Sequence, residues 1–80
     1  MNPQDIGTII RNTRVAQGLT QEQLAAAAGT GVRFLIELEG GKATAQLGKT
    51  LVVLDALGCR VQINSPASVQ DAAPLKDDRP

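Results

Sequence analysis

A tight turn between two short helical segments constrains the fold of this chain more than any other feature. The first segment begins at a capping-box pattern, in which the Thr20 hydroxyl can accept a free backbone N–H of the first turn and the Gln23 side chain can reach back to the N–H of the cap residue. It ends at Gly29, because glycine readily adopts the left-handed conformation that closes a helix. A second helix is predicted over residues 31–39, with Thr30 as its N-cap. The pair forms a helix-turn-helix, although an αα-hairpin with only a packing role has the same pattern.

The apolar residues of both helices fall on one face. The inward positions are Leu24, Ala25, Ala28, Phe34, Leu35 and Leu38. Small alanine side chains let the two helices cross closely. The outer face of the second helix then presents Val32, Arg33, Ile36 and Glu37, at spacings that make them neighbours. An exposed face of this kind is what a recognition helix presents to the DNA major groove.

These residues resemble the Cro/phage-repressor (XRE) helix-turn-helix family. The resemblance is carried by Gly-Leu-Thr-Gln-Glu-Gln-Leu-Ala over residues 18–25, by Gly29, and by Phe-Leu-Ile-Glu-Leu-Glu over residues 34–39. The continuation over residues 43–64 is similar to the HipB-type antitoxins within that family. The resemblance implies an all-α, lambda-repressor-like bundle of four helices that acts as a homodimer on a pseudo-palindromic operator. It also implies a HipA-type Ser/Thr kinase toxin as the partner that the antitoxin neutralises.

The family pattern assigns roles to individual positions. Base-reading positions match Val32, Arg33 and Glu37, and phosphate-binding positions match Gln21, Gly41 and Lys42. Arg33 has the fork that binds guanine O6 and N7, and Val32 can touch a thymine methyl group. Glu37 can accept from cytosine N4 or orient Arg33 four residues earlier. A solvated ion pair between Arg33 and Glu37, with no role on DNA, is the alternative. Backbone N–H groups of the Gly-Gly loop are expected to approach a phosphate closely.

An N-terminal helix is predicted from near Asp5 to about Gln17. Its inner face is predicted to hold Ile6, Ile9, Ile10 and Thr13. Arg11 and Arg14 lie on one side of it. By resemblance, Arg14 matches an arginine that forms an internal ion pair with a glutamate, here Glu39. A phosphate contact is the alternative for Arg14, and Arg11 is the expected phosphate ligand.

The outer face of the second helix departs from the family pattern. Gly31 stands where a Ser or Thr cap is usual, and Val32 and Ile36 stand where polar base readers are common. Two apolar side chains offer no hydrogen bond to a base. This exposed pair therefore contacts either DNA or a protein partner.

The last helix is predicted over about residues 45–57, with Thr44 as its cap and Gly58 at its end. Its core-facing stripe is predicted to be Leu47, Leu51 and Leu54. Further apolar side chains on its other sides, Val52, Val53 and Leu57, exceed what so small a domain can cover. A second subunit is expected to cover them.

Residues 59–64 alternate between apolar and polar, which predicts a β-strand. A lone strand leaves its backbone donors and acceptors unpaired, so it is expected to pair with its twin across a twofold axis. The expected dimer interface is Val53, Leu57, Cys59, Val61 and Ile63. An unpaired C-terminal extension is the alternative.

Composition limits the remaining choices. Eighty residues allow one small domain, taken here as residues 1–64, and the Pro-containing stretch 65–80 is predicted to be a disordered tail or partner-binding segment. The eight basic residues equal the eight acidic ones, so non-specific DNA binding should be weak.

The single Cys59 excludes an internal disulfide and favours a packed thiol in a reducing compartment. The N-terminus lacks the order of a signal peptide, which predicts a cytoplasmic protein.

An enzyme is not expected, because the chain has no histidine and no catalytic pattern of cysteine, carboxylates or glycines. No metal or cofactor is implied. Two functional hypotheses follow. The first is a dimeric DNA-binding repressor that is the antitoxin of a kinase toxin and represses its own operon, with a stand-alone regulator of the same fold left open. The second is a protein-interaction module with weak DNA affinity.

Overall fold

A computed structural model describes residues 1–67 as four α-helices around a single core. The helices are α1 (Pro3–Ala16), α2 (Gln21–Ala28), α3 (Val32–Glu39) and α4 (Leu47–Ala56). The predicted four-helix, all-α fold is therefore confirmed. The predicted tail over residues 65–80 lies, from residue 68 onward, outside the described residues. No helix in the described part of the chain is long and apolar enough to cross a membrane.

Helix α1 begins at a second capping box that the sequence interpretation missed. The Asn2 side-chain oxygen accepts from the Asp5 N–H at 2.8 Å, and the Asp5 carboxylate accepts from the Asn2 N–H at 3.0 Å. Pro3 occupies the first helical position, where a backbone N–H would have no partner within the helix, so its missing N–H costs no hydrogen bond. Charge alone had placed Asp5 near the helix start, and the structure adds this reciprocal pairing.

The predicted turn between α2 and α3 is present, but the predicted cap of α3 is wrong. Thr20 and Gln23 form the expected capping box, and Gly29 ends α2 with φ +70°. Thr30 instead completes the closure of α2, because its N–H donates to the Ala25 carbonyl at 2.9 Å. The N-cap of α3 is Gly31, which offers no side-chain acceptor.

The core is small and mainly aliphatic, and Thr50 is the buried polar side chain at its edge. Its buried apolar side chains are Ile10, Leu24, Ala25, Leu35, Leu38, Val53 and Leu57. Phe34 packs against this cluster from its edge. Ile9, predicted to face inward, is 45% exposed on the outside of α1.

Gly7 marks the closest approach between helices, and the sequence interpretation did not identify it. A Cβ at Gly7 would lie 2.6 Å from the carbonyl oxygens of both Leu38 and Glu39. Helix α1 therefore crosses the C-terminal end of α3 with backbone against backbone. Only glycine permits this contact without moving a helix.

The predicted core-facing stripe of α4 is only partly correct, because Leu54 alone of its three residues packs against the core. The helix starts at Leu47, after an N-cap at Gln46 that makes no side-chain capping bond, so Thr44 is not its cap. Leu47 and Leu51, predicted to face the core, are exposed. The buried stripe is instead Thr50, Val53 and Leu57. The Thr50 hydroxyl is accommodated there because it donates to the Gln46 carbonyl at 2.8 Å.

This orientation corrects the predicted dimer interface. Val53 is 0% exposed and Leu57 is 5% exposed, so both side chains belong to the core of a single subunit. Val61 and Ile63 are exposed, and Cys59 is half-buried against the core. Residues 1–67 contain no β-strand, and within that range residues 59–64, predicted to form one, have no strand to pair with.

Candidate nucleic-acid interface

Helix α3 is held from behind and open on its outer side. Leu35 and Leu38 are buried and fix its inner face. Val32 is half-buried and packs against the core, so it is only partly available for contact. Arg33 is exposed and Ile36 is 48% exposed. The outer surface of α3 is thus formed mainly by Arg33 and Ile36, with Glu37 beside them.

The structure brings Arg14 and Glu39 together as a largely buried ion pair. Arg14 Nε donates to Glu39 Oε2 at 2.7 Å, and Arg14 Nη2 donates to Oε1 at 3.1 Å. The side chains are 12% and 4% exposed. The hydrogen bond to Glu39 raises the pKa of Arg14 above its ordinary value. Of the two predicted roles for Arg14, the geometry therefore favours the internal pair over a phosphate contact.

Two further groups join this pair, and the sequence interpretation missed both connections. Arg14 Nη1 donates to the Leu19 carbonyl at 2.8 Å, in the segment between α1 and α2. Gln21 Nε2 donates to Glu39 Oε1 at 3.2 Å. Gln21, predicted to bind a phosphate, is thus half-buried and bonded to Glu39 at the start of α2.

The loop after α3 differs from the expected phosphate cradle. The N–H groups of Gly40, Gly41 and Lys42 donate to carbonyls of Ile36, Leu38 and Glu37, at 3.0–3.1 Å. These backbone donors close the end of α3 and are already satisfied. Gly41 is buried with φ +85°, and a Cβ there would lie 2.8 Å from Gln4 Cγ. A phosphate contact at this loop consequently depends on the Lys42 side chain.

Lys42 and Glu37 form an exposed ion pair. Lys42 Nζ lies 3.1 Å from Glu37 Oε1. Glu37 therefore contacts Lys42, and no ion pair among the described residues joins it to Arg33.

Arg11 is exposed on α1, three residues before Arg14. Lys49 Nζ lies 5.5 Å from the centre of the Phe34 ring, a cation–π contact that no sequence pattern indicated.

Comparison with known proteins gives two findings. A helix-turn-helix family model matches residues 10–63 of the chain. The chain is also 52% identical over 64 residues to the uncharacterized HTH-type transcriptional regulator y4mF of Sinorhizobium fredii (strain NBRC 101917 / NGR234). That match covers 80% of this chain and 84% of the relative.

The two glutamates of α3 provide a matched test of the buried pair. We expect Glu39→Ala to lower the free energy of unfolding by about 1.5–3 kcal/mol, because it removes the carboxylate that accepts the charged hydrogen bonds of Arg14. Glu37→Ala removes only an exposed pair and should cost less than about 1 kcal/mol. Urea unfolding at one fixed protein concentration measures both. Equal losses would contradict a structural role for the Glu39 pair.

Proposed function

Because this chain belongs to the helix-turn-helix family, we propose that it binds double-stranded DNA through α3 and regulates transcription. The observation that carries the proposal is the solvent exposure of Arg33. It is exposed on the outer side of α3, while Leu35 and Leu38 fix the opposite side of the same helix. A rigidly held helix with an exposed arginine fits the major groove, where arginine binds guanine O6 and N7. The name of the relative, a transcriptional regulator, supports the same function.

The exposed ion pair between Lys42 and Glu37 is weak enough to break when DNA binds, so that each side chain can contact the DNA instead. An exposed pair contributes about 0–1 kcal/mol, so a phosphate can compete for Lys42. Glu37 is then available to accept from cytosine N4. Arg11 is the second proposed phosphate ligand, and Gln21 contributes at the start of α2. Val32 has a smaller part as a base reader because it is half-buried.

We propose that the functional unit is a homodimer. In the C-terminal half of the described residues, the large apolar side chains that a single chain leaves exposed are Leu47, Leu51, Val52, Val61 and Ile63. All five lie on α4 or after it, at positions that a second subunit can cover if residues 59–64 pair with their twin as an antiparallel ribbon. Cys59, the first residue of this segment, packs against the core. Two copies would present two recognition helices to half-sites about 34 Å apart.

We also propose a role as the antitoxin of a HipA-type kinase. The similarity of residues 43–64 to HipB-type antitoxins supports it. A stand-alone regulator would use the same dimer and the same α3 surface. A protein-interaction module with weak DNA affinity is the alternative from another class, supported by the exposed Ile36 and the zero formal net charge.

DNA binding is tested by gel shift with the DNA upstream of the gene and with a selected random pool. We expect Arg33→Ala to weaken specific binding by about 1–3 kcal/mol per half-site, because the guanine contact is lost. Arg33→Lys is the matched control. It retains the charge but not the planar fork, so it should lose specificity while non-specific binding remains. No shift at micromolar protein, or no effect of Arg33→Ala, would leave only the interaction module.

The dimer is tested by sedimentation across a range of protein concentrations. Ile63 is 88% exposed in one chain, so Ile63→Glu should leave the subunit folded while shifting dimer to monomer. Ile9→Glu, on the outside of α1, is the control and should remain a dimer. A wild-type monomer, or an Ile63→Glu dimer of unchanged stability, would contradict the shared ribbon.

The antitoxin role is tested through the adjacent reading frame. We expect that frame to encode a kinase-like protein, which should copurify with this chain when both are expressed and should arrest growth when expressed alone. A neighbouring gene unrelated to kinases, or a kinase-like neighbour that neither binds nor arrests growth, would instead support a stand-alone regulator.

A further inference from the structure

Ile36 is the central apolar side chain of the outer α3 surface. It is 48% exposed, three residues after Arg33 and four residues before Gly40. Positions three and four apart on a helix are surface neighbours, so Arg33 borders Ile36 on one side. On the other side Gly40 has no side chain, which leaves Ile36 prominent. The other apolar candidate on this helix, Val32, packs against the core instead.

An aliphatic side chain at this position restricts which base edges can lie beneath it. Isoleucine offers neither donor nor acceptor, so an amino or carbonyl group covered by it would lose its water without a replacement bond. The major-groove edge of thymine carries a C5-methyl group, which gains from losing contact with water. Ile36 thus favours a methyl-bearing pyrimidine and disfavours the other edges.

The neighbouring polar side chains do not compete for this position. The Glu37 carboxylate is turned to Lys42, with Nζ to Oε1 at 3.1 Å. Arg33 has a different target, guanine O6 and N7. Side chains three apart on a helix are about 5–6 Å apart at Cβ, and base pairs are stacked about 3.4 Å apart. The methyl group beneath Ile36 therefore lies within about two base pairs of the guanine bound by Arg33.

From this geometry we infer that Ile36 is a specificity-determining residue that reads the C5-methyl group of a thymine next to the Arg33 contact. The inference rests on the proposed DNA-binding function and assigns one element of its operator. A protein partner for the same side chain is the competing possibility, and the test separates the two.

The test uses the full chain and a duplex selected from a random pool, with each thymine replaced in turn by deoxyuridine. This replacement removes only the methyl group. We expect one thymine per half-site at which binding weakens about fourfold, the value of one buried methyl-sized group. With cytosine at that position, 5-methylcytosine should bind more tightly than cytosine by a similar factor.

Two variants test whether Ile36 is the side chain that contacts the thymine methyl group. Ile36→Ala should bind the thymine and deoxyuridine duplexes equally, while Ile9→Ala should keep the full difference. Ile9 is a suitable control because it is also a half-exposed helical isoleucine, on α1. Thermal melting of both variants checks that they are folded.

The outcomes separate this inference from the function on which it rests. If the wild-type chain binds no duplex, the proposed function fails and the inference with it. If the chain binds, and Arg33→Ala weakens binding, yet deoxyuridine equals thymine at every position, only the inference is overturned. A thymine preference that persists in Ile36→Ala also overturns it.

Discussion

The carboxylate of Glu39 joins three of the four helices, and the position of α3 depends on it. It lies at the last residue of α3 and accepts from Arg14 on α1 and from Gln21 on α2. Arg14 also holds the Leu19 carbonyl between those two helices. Helices α2 and α3 have only eight residues each, too few to be stable alone in water. Their mutual angle is therefore set by packing and by this network.

The close crossing at Gly7 makes the network possible. Gly7 and Arg14 are seven residues apart, so they lie on the same face of α1. Without a Cβ at Gly7, the backbone of α1 reaches the carbonyls at the end of α3, and Arg14 arrives within 2.7 Å of Glu39 two turns later. The acid is placed at a helix C-terminus, where the helix dipole disfavours it. The guanidinium offsets that cost, and the pair fixes the end of the proposed reading helix.

The sequence alone predicted the structure correctly wherever a local pattern had only one interpretation. The Thr20–Gln23 capping box and the Gly29 turn were of that kind, and the resemblance matched Arg14 with Glu39. The face of α4 was different. Two stripes share one helical spacing, Leu47, Leu51 and Leu54 against Thr50, Val53 and Leu57. Hydropathy favours the first stripe, but packing buries the second, in which the Thr50 hydroxyl donates to the Gln46 carbonyl. Only the positions of the other helices decide between them.

The neutral charge and the exposed apolar surface of α4 have a common explanation in the proposed function. Phosphate contacts dominate the affinity of most DNA-binding proteins, but this chain has no excess of basic residues to supply them. A single copy would then bind any DNA weakly, and a larger share of its binding free energy would come from contacts to bases. Joining two copies raises affinity without adding charge, because the second half-site binds at a high effective concentration. The exposed apolar residues of α4 and of residues 59–64, by joining two subunits, would thus compensate for a recognition surface with few cations.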